Sequence, residues 1–119
     1  MIKIIYYLIF FLFITQNNLL AKSQFFKDGM IFYKKNKLDD AKFKFQQDIV
    51  FNPKSELSYL YLSKIFNKQD KKILEEQNLK TVMLLNPKNE EAVYNLAKLR
   101  LNSSDYAKSK KLNEKLKSI

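Results

Sequence analysis

The chain has no cysteine and no histidine, one glycine, two prolines and one arginine among its 119 residues. Each shortage removes a class of chemistry. Without histidine or cysteine there is no Ser-His-Asp or Cys-His nucleophilic centre, no disulfide and none of the usual ligands of structural zinc. A single glycine cannot build a P-loop or a dinucleotide fingerprint. Glycine and proline are also too few for a sheet protein with many tight turns. The missing cysteine excludes a lipidated cysteine at a mature N-terminus. Twelve carboxylates remain, but the pairs Asp39-Asp40, Glu75-Glu76 and Glu90-Glu91 are adjacent, and neighbours on a helix point to different sides. They read as caps and solvated faces. The residues therefore predict no enzyme, no metal and no cofactor.

The two prolines carry the organisation. Phe51-Asn52-Pro53-Lys54 returns as Leu85-Asn86-Pro87-Lys88, 34 residues later. Proline disfavours helical backbone in the residue before it and is accepted in the first turn of a helix. Each motif is thus expected to end one helix and open the next. Apolar residues recur at helical intervals on both sides: Phe25, Gly29, Phe32 and Tyr33, then Leu38, Ala41, Phe45, Ile49 and Phe51. Ser55-Glu56 and Asn89-Glu90-Glu91 resemble helix starts, with a capping side chain followed by acid. A third pair is expected over 89–100 and 104–117, with Ser104-Asp105 as turn and cap. Six helices account for the chain after its N-terminal segment.

A 34-residue helix–turn–helix period is that of the tetratricopeptide repeat, whose pattern runs W-x2-L-G-x2-Y, A-x3-F, P. With Pro53 on the final proline, Phe25, Asp28, Gly29, Phe32, Ala41 and Phe45 fall on the marked positions in register. The second unit offers Tyr59, Leu62, Ser63 and Phe66, then Glu75, Leu79 and Pro87, with Glu75 in place of the small alanine. The third offers Val93, Leu96, Ala97 and Arg100, then Ser109 and Asn113, with no proline after it. The chain resembles a small exported bacterial tetratricopeptide repeat protein. The resemblance implies an all-α fold of about three stacked helix pairs in a short right-handed solenoid, over about 22–55, 56–89 and 90–119. Stacking makes the core, and about three repeats are needed for stability. Leu112, Leu116 and Ile119 on the last helix are expected to pack internally and cap the stack; the alternative is that they dock onto another chain.

Residues 1–21 are different material. Lys3 precedes eleven residues, 4–14, with no charge, amide or glycine. A positive start, a short apolar core and a small-residue site describe a secretory signal peptide, cleaved after Ala21 or Ser23. A spanning helix needs about 20 apolar residues, and the polar run at 15–18 interrupts this one. The expectation is an exported protein, periplasmic or secreted; the alternative is an uncleaved inner-membrane anchor.

Formal net charge is +10. It could serve nucleic acid, anionic lipid or an acidic partner. All but one of the 22 basic residues are lysine, whereas base-edge readers lean on the planar fork of arginine. No nucleic-acid partner is predicted, and much of the charge reads as a solvated face.

The resemblance adds a finer expectation. In that family the first helix of each repeat lines a concave groove that holds an extended peptide or a partner's helix. Carried over, the groove positions are Phe26, Lys27, Met30, Tyr33 and Lys34 in the first repeat. Leu60, Tyr61, Lys64, Asn67 and Lys68 follow in the second, and Tyr94, Asn95, Lys98 and Leu101 in the third. Rings beside lysines suit a segment partly apolar and partly acidic, and Lys64 and Lys98 form a ladder of positive charge one repeat apart. Some family members grip a carboxyl terminus with a fixed set of lysines, asparagines and an arginine. Phe26 and Met30 occupy two of those places, so that clamp is not expected. The function implied is a non-catalytic interaction module or adaptor of the cell envelope with a protein or peptide partner. The alternative is a membrane-anchored basic domain on anionic lipid, in which case the membrane is met through the N-terminal helix.

Overall fold

A computed structural model describes the backbone of every residue except 104 and 105, and the side chains of all but 10–23, 104–107 and 109. The described residues form six α-helices: α1 Ile2–Lys34, α2 Leu38–Phe51, α3 Glu56–Lys68, α4 Lys72–Leu85, α5 Glu90–Asn102 and α6 Tyr106–Lys117. They pack as pairs, α1 with α2, α3 with α4 and α5 with α6, and α4 also packs on α5. The fold is an all-α helical repeat. The chain divides into two compact units, Met1–Asn52 and Pro53–Ile119. Ser104-Asp105 and the Ser109 side chain lie outside the described residues. The backbone of α1 is one continuous helix through both expected cleavage positions. Among the described residues no helix is long and apolar enough to cross a membrane.

Local chemistry sets the helix ends. Asp39 and Asp40 occupy the first turn of α2, and Glu90 and Glu91 that of α5, where the helix dipole is positive. Lys34, Lys68 and Arg100 sit in the last turns of α1, α3 and α5, at the negative end. Asn89 caps α5: its Oδ1 accepts from the Ala92 N–H at 2.8 Å. Ser55 stands at the same place before α3, yet its side chain makes no cap bond; its hydroxyl donates to Ser58 Oγ at 3.1 Å. Asn52 and Asn86 take non-helical backbone (φ −131°, ψ 81°; φ −142°, ψ 94°), as the following prolines require.

The prolines themselves fall three residues before α3 and α5, not in their first turns as expected. Pro53-Lys54 and Pro87-Lys88 each form a turn, and the helix starts only after the next polar residue. The second of these loops is tied down. Glu56 Oε1, at the start of α3, accepts from Asn86 Nδ2 at 3.0 Å and Asn89 Nδ2 at 2.5 Å.

Inside each of the first two pairs the turn is left-handed at one residue, Asn36 (φ 57°) and Asp70 (φ 55°), again 34 apart. Asparagine and aspartate tolerate this region better than other non-glycine residues. The hydrogen bonds repeat as well: Lys37 N–H donates to Phe32 O and Lys71 N–H to Phe66 O, both at 2.9 Å.

In the first unit Ala41 and Phe45 are fully buried. The Phe26 ring tilts against Phe45, with centroids 5.7 Å apart. Phe25 stacks on Phe51 at 5.4 Å and carries Lys44 Nζ over its ring at 5.6 Å. Gly29 is required by space: a Cβ there would meet three Phe45 ring atoms at 2.7–3.1 Å. In the second unit Leu60, Leu79, Val82, Ala92 and Leu96 form one cluster, with Tyr59, Met83, Leu99 and Leu112 packed on it. Leu62, Ser63, Phe66 and Ala97 are buried too, and the Ser63 hydroxyl donates to Leu60 O at 2.6 Å. Leu112 and Leu116 are half-buried and Ile119 exposed.

Two expectations are corrected here. Leu60, assigned to the groove, is 4% exposed and part of the core; an α3 residue one position before Tyr61 turns inward. Glu75, read with Glu76 as a solvated pair, is only 5% exposed. It occupies the position of Ala41 one repeat on, where the backbone buries whatever side chain it carries. Glu76 instead joins an ion triad, 2.7 Å from Lys80 and also paired with Arg100.

Candidate partner-binding face

In the second unit, Leu57, Tyr61, Lys64 and Lys68 follow one another at helical spacing along α3, and Glu91, Tyr94, Lys98 and Leu101 along α5. The two rows meet at Lys64. Its Nζ lies 2.7 Å from Glu91 Oε1 and 4.7 Å from the centre of the Tyr61 ring. Around this seam Leu57, Tyr94 and Leu101 are each at least half exposed, and Lys68 and Lys98 are exposed. Asn95 is half-buried. The face thus combines apolar surface with cations. The charge ladder does not run as two equal lysines, because Lys64 is paired within the unit by a carboxylate that the sequence reading assigned to a cap.

Asn67 is directed at its own helix pair, where Nδ2 donates to Glu75 Oε1 at 3.1 Å. The Glu75 carboxyl is held above the ordinary carboxylate range, chiefly because burial disfavours its charged form. The Asn67 hydrogen bond and the charges of Lys72 and Lys98 act in the opposite sense and do not overcome it. The folded protein therefore holds this proton more tightly than the unfolded chain. The contribution of Glu75 to stability is greatest in acid and is lost as pH rises through its raised value. Glu75→Ala, which restores the small residue at this position, is expected to add about 0.5–2 kcal/mol at neutral pH. It should also flatten the fall in stability between acid and neutral pH. Denaturant titrations of both proteins at the two pH values check this; an unchanged pH slope would refute it.

The first unit is considered by itself. On α1, Lys27 and Lys34 are exposed, and Phe26, Met30 and Tyr33 are half-buried. Phe26 divides its ring between this surface and Phe45. Phe25 and Phe32 are half-buried, and Ala41 and Phe45 are buried. Among the described residues no group of three or more histidine, cysteine, aspartate or glutamate side chains could hold a metal ion.

No protein-family model matches the sequence, and no curated protein matches it. Solved structures do match the fold. The Arabidopsis OM64 tetratricopeptide (TPR) domain superposes with a TM-score of 0.74 at 19% identity, over 83% of this chain and 82% of that one. The Yersinia enterocolitica type III secretion chaperone SycD, in complex with a peptide of the translocator YopD, gives 0.74 at 16% identity, over 81% and 73%. The first TPR of Spaghetti (RPAP3), bound to the HSP90 peptide SRMEEVD, gives 0.73 at 16% identity, over 80% and 75%. With the 34-residue recurrence of loops, turns and small buried residues, these superpositions identify the chain as having the tetratricopeptide-repeat fold.

Proposed function

We propose that this protein is a non-catalytic interaction module of the cell envelope that captures a polypeptide segment on the α3–α5 face. The observation that carries the reading is the exposure of Tyr94 and Leu101, each 55%, beside Lys98 and next to the Tyr61–Lys64 seam. Apolar side chains exposed on a helix offer burial to a partner, and lysines beside them favour one with acidic residues. Solved proteins of the same fold supply support: Spaghetti is bound to an HSP90 peptide and SycD to a peptide of YopD. The segment we favour alternates apolar and acidic residues and lies along the two rows.

The test is crosslinked capture from envelope extract, followed by binding measurements with the purified partner. Tyr94→Ala with Lys98→Glu removes exposed groups only and leaves the core intact. Its affinity is expected to fall by about tenfold or more, since exposed aromatics dominate such contacts. Equal affinity in parent and variant, with equal helicity, moves the site off this face.

A second reading rests on the apolar run at 4–14 and the net charge of +10: an uncleaved N-terminal helix holds the basic repeats against anionic lipid. Intact mass of the protein from its native membrane and soluble fractions separates the two. A chain shortened by 21 or 23 residues supports export of a free module; a full-length chain in the membrane fraction supports the anchor.

A further inference from the structure

Leu96 and Arg100 lie two residues beyond Tyr94 and Lys98 on α5, hence across the helix from them. There α4, α5 and α6 enclose an open cleft of about 610 Å³. Its floor is apolar: Leu96, with Met83 and Leu112, which pack on the core cluster of the unit. Its lining is also cationic, with Lys80 from α4, Arg100 from α5, and Lys108, Lys111 and Lys115 from α6. Five cations and one carboxylate, Glu114, thus line the cleft, and Glu76 pairs with two of the five.

We propose that this cleft binds a single-chain aliphatic carboxylate, the methylene chain on the Met83–Leu96–Leu112 floor and the head group between Lys111 and Lys115. The volume lies in the range of small-molecule sites, about 300–1,000 Å³. The lysine stems extend the apolar wall and carry their charge outward, which matches a ligand apolar along its length and anionic at one end. The site is separate from the α3–α5 face and does not depend on its function.

The test titrates the full chain with dodecanoate, kept below micelle-forming concentration, by calorimetry and methyl NMR. One-to-one saturable binding is expected, with shifts at Met83, Leu96 and Leu112 and little response to dodecyltrimethylammonium. Lys111→Glu with Lys115→Glu should weaken binding by about tenfold, the order expected when two charges beside an anionic head change sign. Lys111→Gln provides the same comparison, with a smaller loss, if the double variant is less helical. Equal binding of the cationic amphiphile overturns the proposal, as do shifts confined to the N-terminal segment or to the Tyr94 face. So does an acidic amphipathic peptide that shifts these methyls when dodecanoate does not.

Discussion

Phe45→Ala is expected to destabilise the first helix pair by about 3–5 kcal/mol, the range for emptying a buried aromatic site. Phe45 is fully buried, contacts Phe26 and fills the space above Gly29. Gly29→Ala tests the same contact from the other side. On an unhindered helix that change would gain up to about 1 kcal/mol, because glycine is a poor helix former. Here the added Cβ would come within 2.7 Å of a rigid ring that has nowhere to go. Overpacking of this kind costs about 1–3 kcal/mol, so the net effect should be a loss. The second repeat shows the relief. At the equivalent positions it carries Ser63 and Leu79, both buried, a larger residue opposite a smaller one. Gly29→Ala with Phe45→Leu should therefore be more stable than the sum of the two single changes predicts. Thermal and denaturant unfolding of the four proteins closes that cycle; simple additivity would mean that the two sites do not meet.

Glu56→Ala is expected to cost about 1–3 kcal/mol, the range for leaving partners of a charged acceptor without it. One carboxylate oxygen at the start of α3 receives both Asn86 and Asn89. Those amides are committed on their other sides as well: Asn86 Oδ1 accepts from the Lys88 N–H at 3.0 Å, and Asn89 caps α5. Removing Glu56 thus loosens the loop and the start of the third pair together. Amide hydrogen exchange should quicken over 88–93 before it does in α3. Glu56→Gln, which keeps an acceptor and loses the charge, should recover part of the difference. Unchanged protection of these amides in Glu56→Ala would show that the loop holds itself.

The period was legible because it rests on residues that act through the backbone. Proline dictates the conformation of the residue before it, so Asn52-Pro53 and Asn86-Pro87 marked helix ends whatever surrounded them. Gly29, Ala41 and Phe45 were legible because the family pattern records a steric fit, and that fit is present. Two further backbone signals went unread, Asn36-Lys37 and Asp70-Lys71, which recur at the same 34-residue spacing and mark the left-handed turns. The site was less legible, since which charges meet depends on how helices face each other. Glu75 fell at the small-residue position of the repeat, yet its adjacency to Glu76 read as a solvated pair. Glu91 looked like a cap, and nothing in its neighbours announced Lys64. The one-residue difference between Leu60 and Tyr61 is finer than a groove carried over by resemblance can resolve.

The pairing of Lys64 with Glu91 has a consequence for how the α3–α5 face would discriminate among segments. Lys64 is not a vacant charge, so an incoming carboxylate that reaches it displaces Glu91, whose own carboxylate stays tethered to the same face. Because both carboxylates then lie on one face, the exchange gains little electrostatic energy. Acidity at that point of the segment would confer little advantage, and selectivity would shift to side chains that fit Tyr94 and Leu101. The intramolecular carboxylate thereby acts as a resident competitor, setting a threshold that a merely acidic chain does not cross.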